Sequence, residues 1–362
     1  MLVGELEPAI LASALLLALA IDRWLGEPPV RWHPVVWIGN YLGWAGQRIA
    51  PLASAPLSGQ ADKLSGGQVE SQSTSQAISP VATVDLAAFV RGALAWCAGG
   101  AVVLAVTAGL QSRLLQLPGW ATAILLGLLL KPLLAWAMLR REVQAVEAAL
   151  SISLARGRER LSWLCSRDTS QLSASQVRET ALESLAENLN DSVVAPLFWF
   201  AVAGLPGAAL YRFANTADAM WGYRGERGGR HWEWAGKWAA HADDLLSWLP
   251  ARLSALLLAA GGFSLVPLAR LRREAVLTPS PNGGWPMGAL ALALGIRLGK
   301  PGVYTLNAAG RAPEPQDTDR ACALAGRAIG LIGLVALILL LTQLRLDIWL
   351  SGLWPASGGG HG

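Results

Sequence analysis

Glu179 to Phe200 reads ETALESLAENLNDSVVAPLFWF: an acid at every fourth position, then an apolar run with no polar linker between them. On a helix Glu179, Glu183, Glu187 and Asp191 form one stripe, with Asn188 and Asn190 beside it. Four like charges in a row repel, so something positive must face them, either arginines or a bound metal. A solvated helix face would give the same spacing. The immediate step into VVAPLFWF favours a functional stripe, because polar groups at the edge of a bilayer-type run are costly to keep.

Moving outward, a Gly204-Leu205-Pro206-Gly207 break is followed by YRFANTADAMWGYRGERGGRHWEWAGKWAAHADDLLSWLPARL, Tyr211 to Leu253. Asn215 and Asp218 share a helix face, and Asp243 with Asp244 adds a second acidic pair after Arg224, Arg227, Arg230 and Lys237. The mixture suits magnesium and phosphate, since hard oxygen ligands hold the metal while guanidinium forks hold phosphate oxygens. An interfacial loop with ordinary salt bridges is the competing reading.

The rest of the chain supplies the bilayer context. Of 362 residues, 53% are hydrophobic and 15% charged, and the mean hydropathy is +0.39. That excludes an ordinary soluble domain of this length and indicates an all-α, polytopic integral membrane bundle. The formal charge of +4 comes largely from arginines lying between apolar runs, a positive-inside pattern rather than a nucleic-acid footprint. Seventeen tryptophans beside five phenylalanines fit a membrane interface. Cys97, Cys165 and Cys322 match neither a zinc motif nor a disulfide framework and are expected as buried thiols.

A bilayer helix needs roughly 20 apolar residues, and Pro8 to Ile21, Gly92 to Leu110, Gly119 to Leu139 and Leu324 to Leu344 approach this. Glu5 and Glu7 precede the first run with no basic segment, so it is expected to stay as a helix rather than be cleaved. Val193 to Phe213 and Leu249 to Ala269 carry internal glycines and a proline, and are expected to be broken or re-entrant. Gly284 to Leu298 reads as an interfacial helix or packed hairpin arm. Basic residues in Arg140 to Arg178, Arg212 to Lys237 and Arg270 to Arg273 put three polar connections on the cytoplasmic side. A dip and return at Gly204 to Gly207 reconciles the first two. The chain is expected to be one membrane domain over 1–362, with a disordered Ser/Gln-rich loop at 51–83.

Two further motifs stand out. His33 lies in DRWLGEPPVRWHPVVWIGN, where prolines fix an extended turn that would aim it and Arg31 at a ligand; a lone histidine is more often structural. SPNGGWP at Ser280 to Pro286 reads as a tight turn whose exposed amides would bind an anion, or as a plain loop. Neither GxxxxGK[ST] nor a strand-linked GxGxxG occurs, so any ATP binds outside the P-loop design.

These blocks resemble the CobD/CbiB family, the adenosylcobinamide-phosphate synthases of cobalamin biosynthesis. The resemblance covers DRWLGEPPVRWHPVVWIG, ESLAENLNDSVVAPLFWF, GLPGAALYRFANTADAMWGYRGER, ADDLLSWLPARL and SPNGGWPMGALALALGIRLG, in family order from Asp22 to Gly299. Departures are Glu27 where Asp is usual, Ser192 for Gly, Ser247 for Asn and Met287 for Glu.

The resemblance implies an enzyme that ligates aminopropanol phosphate to a propionate carboxylate of the corrinoid adenosylcobyric acid, with ATP as substrate and Mg2+ as cofactor. It also implies a multi-pass protein of the inner cell membrane with a cytoplasmic active site. Beyond the lipid bilayer, its partners would be a second copy of the chain or other late enzymes of the pathway, and no nucleic acid. On this reading Glu183, Glu187, Asp191, Asn215 and Asp218 hold the metal. Arg224, Arg227, Arg252, Tyr223, His33, Asn282 and Trp285 bind substrate or phosphate, and Asp243, Asp244 and Glu187 act in catalysis. Trp221, Trp232, Trp234 and Trp238 suit either the macrocycle or an interfacial belt. A non-catalytic regulatory membrane protein of the AmpE kind and a magnesium-dependent membrane prenyltransferase are the other classes open. Retention of the polar cluster opposes the first, and absence of a DxxxD motif opposes the second.

Overall fold

The computed structural model describes residues 6–53, 84–263 and 266–353. Twelve helices and two two-stranded hairpins make up the described chain. Residues 54–83 of the expected disordered loop lie outside the described residues. Just ahead of them Leu52 bridges to Arg230.

Helix α1 (Pro8–Leu25) and α4 (Gly119–Leu130) pack side by side and run parallel. Their close approach needs a residue without a side chain: a Cβ at Gly127 would stand 2.9 Å from the Ala14 carbonyl oxygen. Helix α3 (Leu86–Leu114), started by the Asp85 carboxylate accepting from the Ala88 amide, runs antiparallel to the second arm of α8 (Ala195–Trp221). Here Gly99 admits the rings of Tyr41 and Phe213. Helices α9 (Lys237–Gly261), α11 (Gly284–Leu294) and α12 (Pro315–Leu353) close the bundle. Five helical stretches are long and apolar enough to cross a membrane: Pro8–Leu25, Leu86–Leu114, Gly119–Ile152, Ala174–Trp221 and Pro315–Leu346.

Helix α7 (Ala174–Leu189) begins with a capping box between Ser173 and Gln176, passes through a π-helical turn at Asn190–Val194 and enters α8. The chain then reverses. Asn215 donates from Nδ2 to Asp191 Oδ2 at 3.1 Å, whereas a straight helix would part residues so far along the chain by about 36 Å. Gly204 makes the turn at φ 65° and ψ −156°, a conformation closed to L side chains. In the apolar surround the Gln111 Oε1 accepts the freed Leu205 amide at 2.8 Å. The expected dip and return is therefore the observed path, and it places the connections on either side of Gly204 at the same end of the bundle.

Other expectations are corrected. The run Gly119 to Leu139 is not one helix: α4 stops at Leu130, a 3-10 turn covers Lys131–Leu133, and α5 (Trp136–Ile152) begins afresh. Pro132 cannot donate to the ladder, and Lys131 is drawn to Asp22 and Glu27. The run Leu249 to Ala269 breaks at its glycines as expected, but its first part belongs to a longer helix: α9 starts at Lys237, tolerates Pro250 and ends at Gly261, and the next helix begins at Leu268. Gly261 lets α9 approach α12, where an added Cβ would lie 3.2 Å from the Ala328 amide nitrogen. Of the three cysteines only Cys322 is buried; Cys97 is exposed and Cys165 lies between.

Candidate functional site at the turn of two helices

Three pieces of backbone converge at the polar end of the bundle. The α7–α8 junction brings Glu187, Asn190 and Asp191; the returning arm of α8 brings Asp218; α9 brings Asp243, Asp244 and Ser247. They enclose a cavity of about 410 Å³, walled also by Tyr223, Arg224 and the Pro279 to Gly283 loop. Eight of the sequence-predicted residues line it: Glu187, Asp191, Asp218, Tyr223, Arg224, Asp243, Asp244 and Asn282.

The π-helical turn is what aims Asp191 inward. Its carboxylate accepts from Asn190 Nδ2 at 2.8 Å, from Asn215 Nδ2 at 3.1 Å and from the Tyr211 hydroxyl at 3.4 Å. Arg212 Nη1 donates to the Asp191 carbonyl at 3.0 Å and to Asn215 Oδ1 at 3.2 Å. The Asn215 amide also reaches Asp243 Oδ1 at 3.5 Å, so one carboxamide holds two acids apart. Gly222 keeps the approach open, since a Cβ there would collide with the Asp218 carboxylate.

The acids are not neutralised by the protein alone. Burial pushes the Asp243 carboxyl well above the usual carboxylate range, helped by the charges of Asp191 and Asp218. Burial raises Asp244 as well, opposed by His241 and Arg224. Crowded oxygen ligands of this kind fit Mg2+, which keeps several waters and binds through one or two carboxylates plus substrate phosphates. Among the described residues no three His, Cys, Asp or Glu side chains meet around one preformed metal position.

The acidic stripe divides. Glu183 lies outside the cavity and pairs with Arg167 at 3.0 Å, and Glu179 faces Arg297 at 3.4 Å. Of the two sources of positive charge considered for the stripe, arginines meet its first half, and its second half opens into the cavity. Asn215 is placed as the brace just described.

Arg252 lies between the rings of Trp248 and Trp285, 4.5 and 4.8 Å from their centroids, and donates to Asn282 Oδ1 at 2.7 Å. Arg252 and Trp285 thus shape the loop that walls the cavity. Asn282 in turn donates to the Asp244 carbonyl at 2.7 Å. The expected anion nest in this loop is not formed, because the amides of Asn282 and Gly283 are taken by the Ser280 hydroxyl at 3.2 and 3.1 Å. Arg227 stacks on Tyr223 at 3.7 Å and lines a separate cavity with Met220 and Trp232. His33 is not among the residues lining the acid cavity; it lies 3.5 Å from Glu27 Oε2, in a cluster where Lys131 meets Glu27 at 2.7 Å and Asp22 at 3.3 Å.

Of the four tryptophans considered for the macrocycle, Trp221 and Trp232 line the same separate cavity as Arg227, with Tyr223 and Arg230. Trp221 donates to the Leu42 carbonyl and Trp232 to that of Arg227, Trp238 stacks on Trp96 and Phe89, and Trp234 carries Lys237. Sequence reading missed Tyr211, Arg212 and Ser247. The first two stand four and three positions before Asn215, on its helix face, and that spacing was the available signal.

A family model described as CobD/Cbib protein matches residues 15–326. A probable cobalamin biosynthesis protein CobD of Pyrococcus abyssi is 35% identical over 306 residues, covering 84% of this chain and 88% of its own. The cobalamin biosynthesis protein CobD of Brucella suis is 35% identical over 331 residues, with 85% and 90% covered. That of Chromobacterium violaceum is 36% identical over 340 residues, with 91% and 98% covered. No solved structure matches.

Proposed function

Since this chain belongs to the CobD/CbiB family and acts in cobalamin biosynthesis, we propose that its step is the ATP-dependent ligation of aminopropanol phosphate to adenosylcobyric acid. The observation that carries this reading is the cavity in which Asp191, Asp218, Asp243 and Asp244 stand opposite the exposed Arg224. A carboxylate is a poor electrophile. Transfer of the γ-phosphoryl group of ATP to the corrinoid propionate gives an acyl phosphate and ADP. The amine then attacks the acyl carbon, the amide C–N bond forms, and the C–O bond to phosphate breaks to release inorganic phosphate.

Mg2+ held by Asp191, Asp218 and Glu187 would offset phosphate charge. Asn215 and Arg212 keep Asp191 in one orientation, so the carboxylate need not reorganise as charge develops. Arg224 at the mouth attracts the phosphate of either substrate. Asp243, a stronger base than an ordinary aspartate because of its burial, takes a proton from the substrate ammonium to free the amine that attacks, a role typically contributing about a hundredfold or more. Asn282, fixed by Arg252, lines the opposite wall.

We place the protein in the cell membrane with this cavity on the cytoplasmic side, where ATP is. The arginines of Arg140 to Arg178 flank the same end, as positive-inside orientation requires.

The test is turnover by detergent-solubilised protein given adenosylcobyric acid, aminopropanol phosphate and magnesium ATP, followed by product mass and phosphate release. Product that requires all three, with one phosphate per amide, is expected; ethanolamine phosphate in place of aminopropanol phosphate defines the amine. Product without ATP, or none from well-folded protein, would sink the ligase reading. Survival of growth on cobyric acid after Asp218→Ala and Asp243→Ala would sink the site assignment.

A further inference from the structure

Away from the acids, on the opposite flank of α1, a second cavity of about 610 Å³ lies between α1, α5 and α12. Its long wall is apolar, made by Leu16, Leu19 and Ile329, and its floor is the face of α12 carrying Gly326, Gly330 and Gly333. An added Cβ at Gly330 would meet nothing within 4 Å, and one at Gly333 would only touch Leu16 and Leu19, at 4.0 and 3.9 Å. Gly330 and Gly333 therefore leave a trough beside the contact of α12 with α1.

At the end nearest the catalytic cavity the lining changes character. Arg23 from α1 and Arg140 from α5 stand there, and neither has a hydrogen bond or ion pair among the described residues. The local acid, Asp319, accepts from Gln144 at 3.0 Å. The trough thus has one cationic end and one greasy end, on a face of the bundle that a bilayer surrounds.

We propose that this trough is a binding site for an anionic phospholipid, the phosphate held by Arg23 and Arg140 and one acyl chain laid along the glycine face of α12. The charge complementarity selects the ligand. An apolar slot alone would take any chain, but two unpaired guanidinium groups at headgroup depth favour a negative headgroup by about 1 kcal/mol each, roughly fivefold per arginine. A phosphate in solution could reach the arginines yet would leave the trough empty. The site is independent of the ligation chemistry.

Native mass spectrometry and thermal melts of the full-length protein in nanodiscs test this, comparing phosphatidylglycerol with phosphatidylcholine. One retained phosphatidylglycerol and a higher melting temperature than in phosphatidylcholine are expected. R23Q combined with R140Q should weaken retention about tenfold or more, and G330L, with both arginines intact, should lower it by blocking the chain. Turnover measured in parallel separates this result from the ligase reading. Equal retention of the two lipids, or retention unchanged by both variants, would mean annular lipid only and overturn the proposal. So would a shift reproduced by inorganic phosphate alone, or a trough that closes against a second copy in concentration-dependent dimers.

Discussion

Asn215 Nδ2 lies 3.1 Å from Asp191 Oδ2 and 3.5 Å from Asp243 Oδ1. A single carboxamide thus ties the first arm of the re-entrant pair to α9 and holds two carboxylates at fixed positions. Asn215→Asp would set a third negative charge between them and remove the donor. Turnover is expected to fall by about 100-fold or more, comparable to losing one preorganised electrostatic contact, with the helical circular dichroism retained. Near-normal turnover would show that the brace is dispensable.

Metal-free protein should lose stability as pH rises. Asp243 and Asp244 are both held above their ordinary values, chiefly by burial. The folded state therefore binds their protons more tightly than the unfolded chain does. Their contribution is favourable at low pH and is lost as pH climbs from the unfolded value, about 4, through the raised folded value. Thermal melts in a chelator should fall as pH rises above about 4, and magnesium should restore more at the upper end. A melting temperature that rises with pH in chelator would contradict this assignment of charge.

The reversal at Gly204 is sterically exclusive. A β-carbon there would need φ 65° and would collide with the Gln111 carboxamide. Gly204→Val should lower stability by at least about 2 kcal/mol, seen as reduced yield of monodisperse protein in detergent. Gln111→Leu leaves the buried Leu205 amide without its acceptor and should cost about 1–3 kcal/mol. A Gly204→Val protein as stable as its parent would mean the turn is made elsewhere.

Lys131 is almost fully buried between Asp22 and Glu27. Removing the cation alone strands two acids, so Lys131→Met is expected to destabilise by about 3–5 kcal/mol. Adding Glu27→Gln should recover part of that loss. No recovery would show that Lys131 acts through packing and not charge.

Much of this was legible in the sequence, because a bilayer constrains composition so tightly. The apolar runs located α1, α3 and α12, and Gly204-Leu205-Pro206-Gly207 between two basic stretches was sufficient to expect a reversal. The spacing of Glu179, Glu183, Glu187 and Asp191 gave the stripe but not its division, since Arg167 and Arg297 approach from distant segments. Helical periodicity carries no information about which residues a folded neighbour will neutralise. The same limit left His33 beside Glu27 and outside the cavity lining. The α4–α5 break was harder still: Lys131-Pro132 lies inside an otherwise continuous apolar run, and only the partners of the lysine explain why the chain yields there.

The path of α8 has a consequence for energetics across the bilayer. Its two arms enter and leave on one side, so the helix ends that carry the acids of the cavity gather at one end of the bundle. On the proposed reaction, nucleotide, amine and corrinoid acid would be collected and released on that side, with no charge carried from one leaflet to the other during turnover. The membrane potential would do no work on such a cycle, and the driving force would be left to the nucleotide.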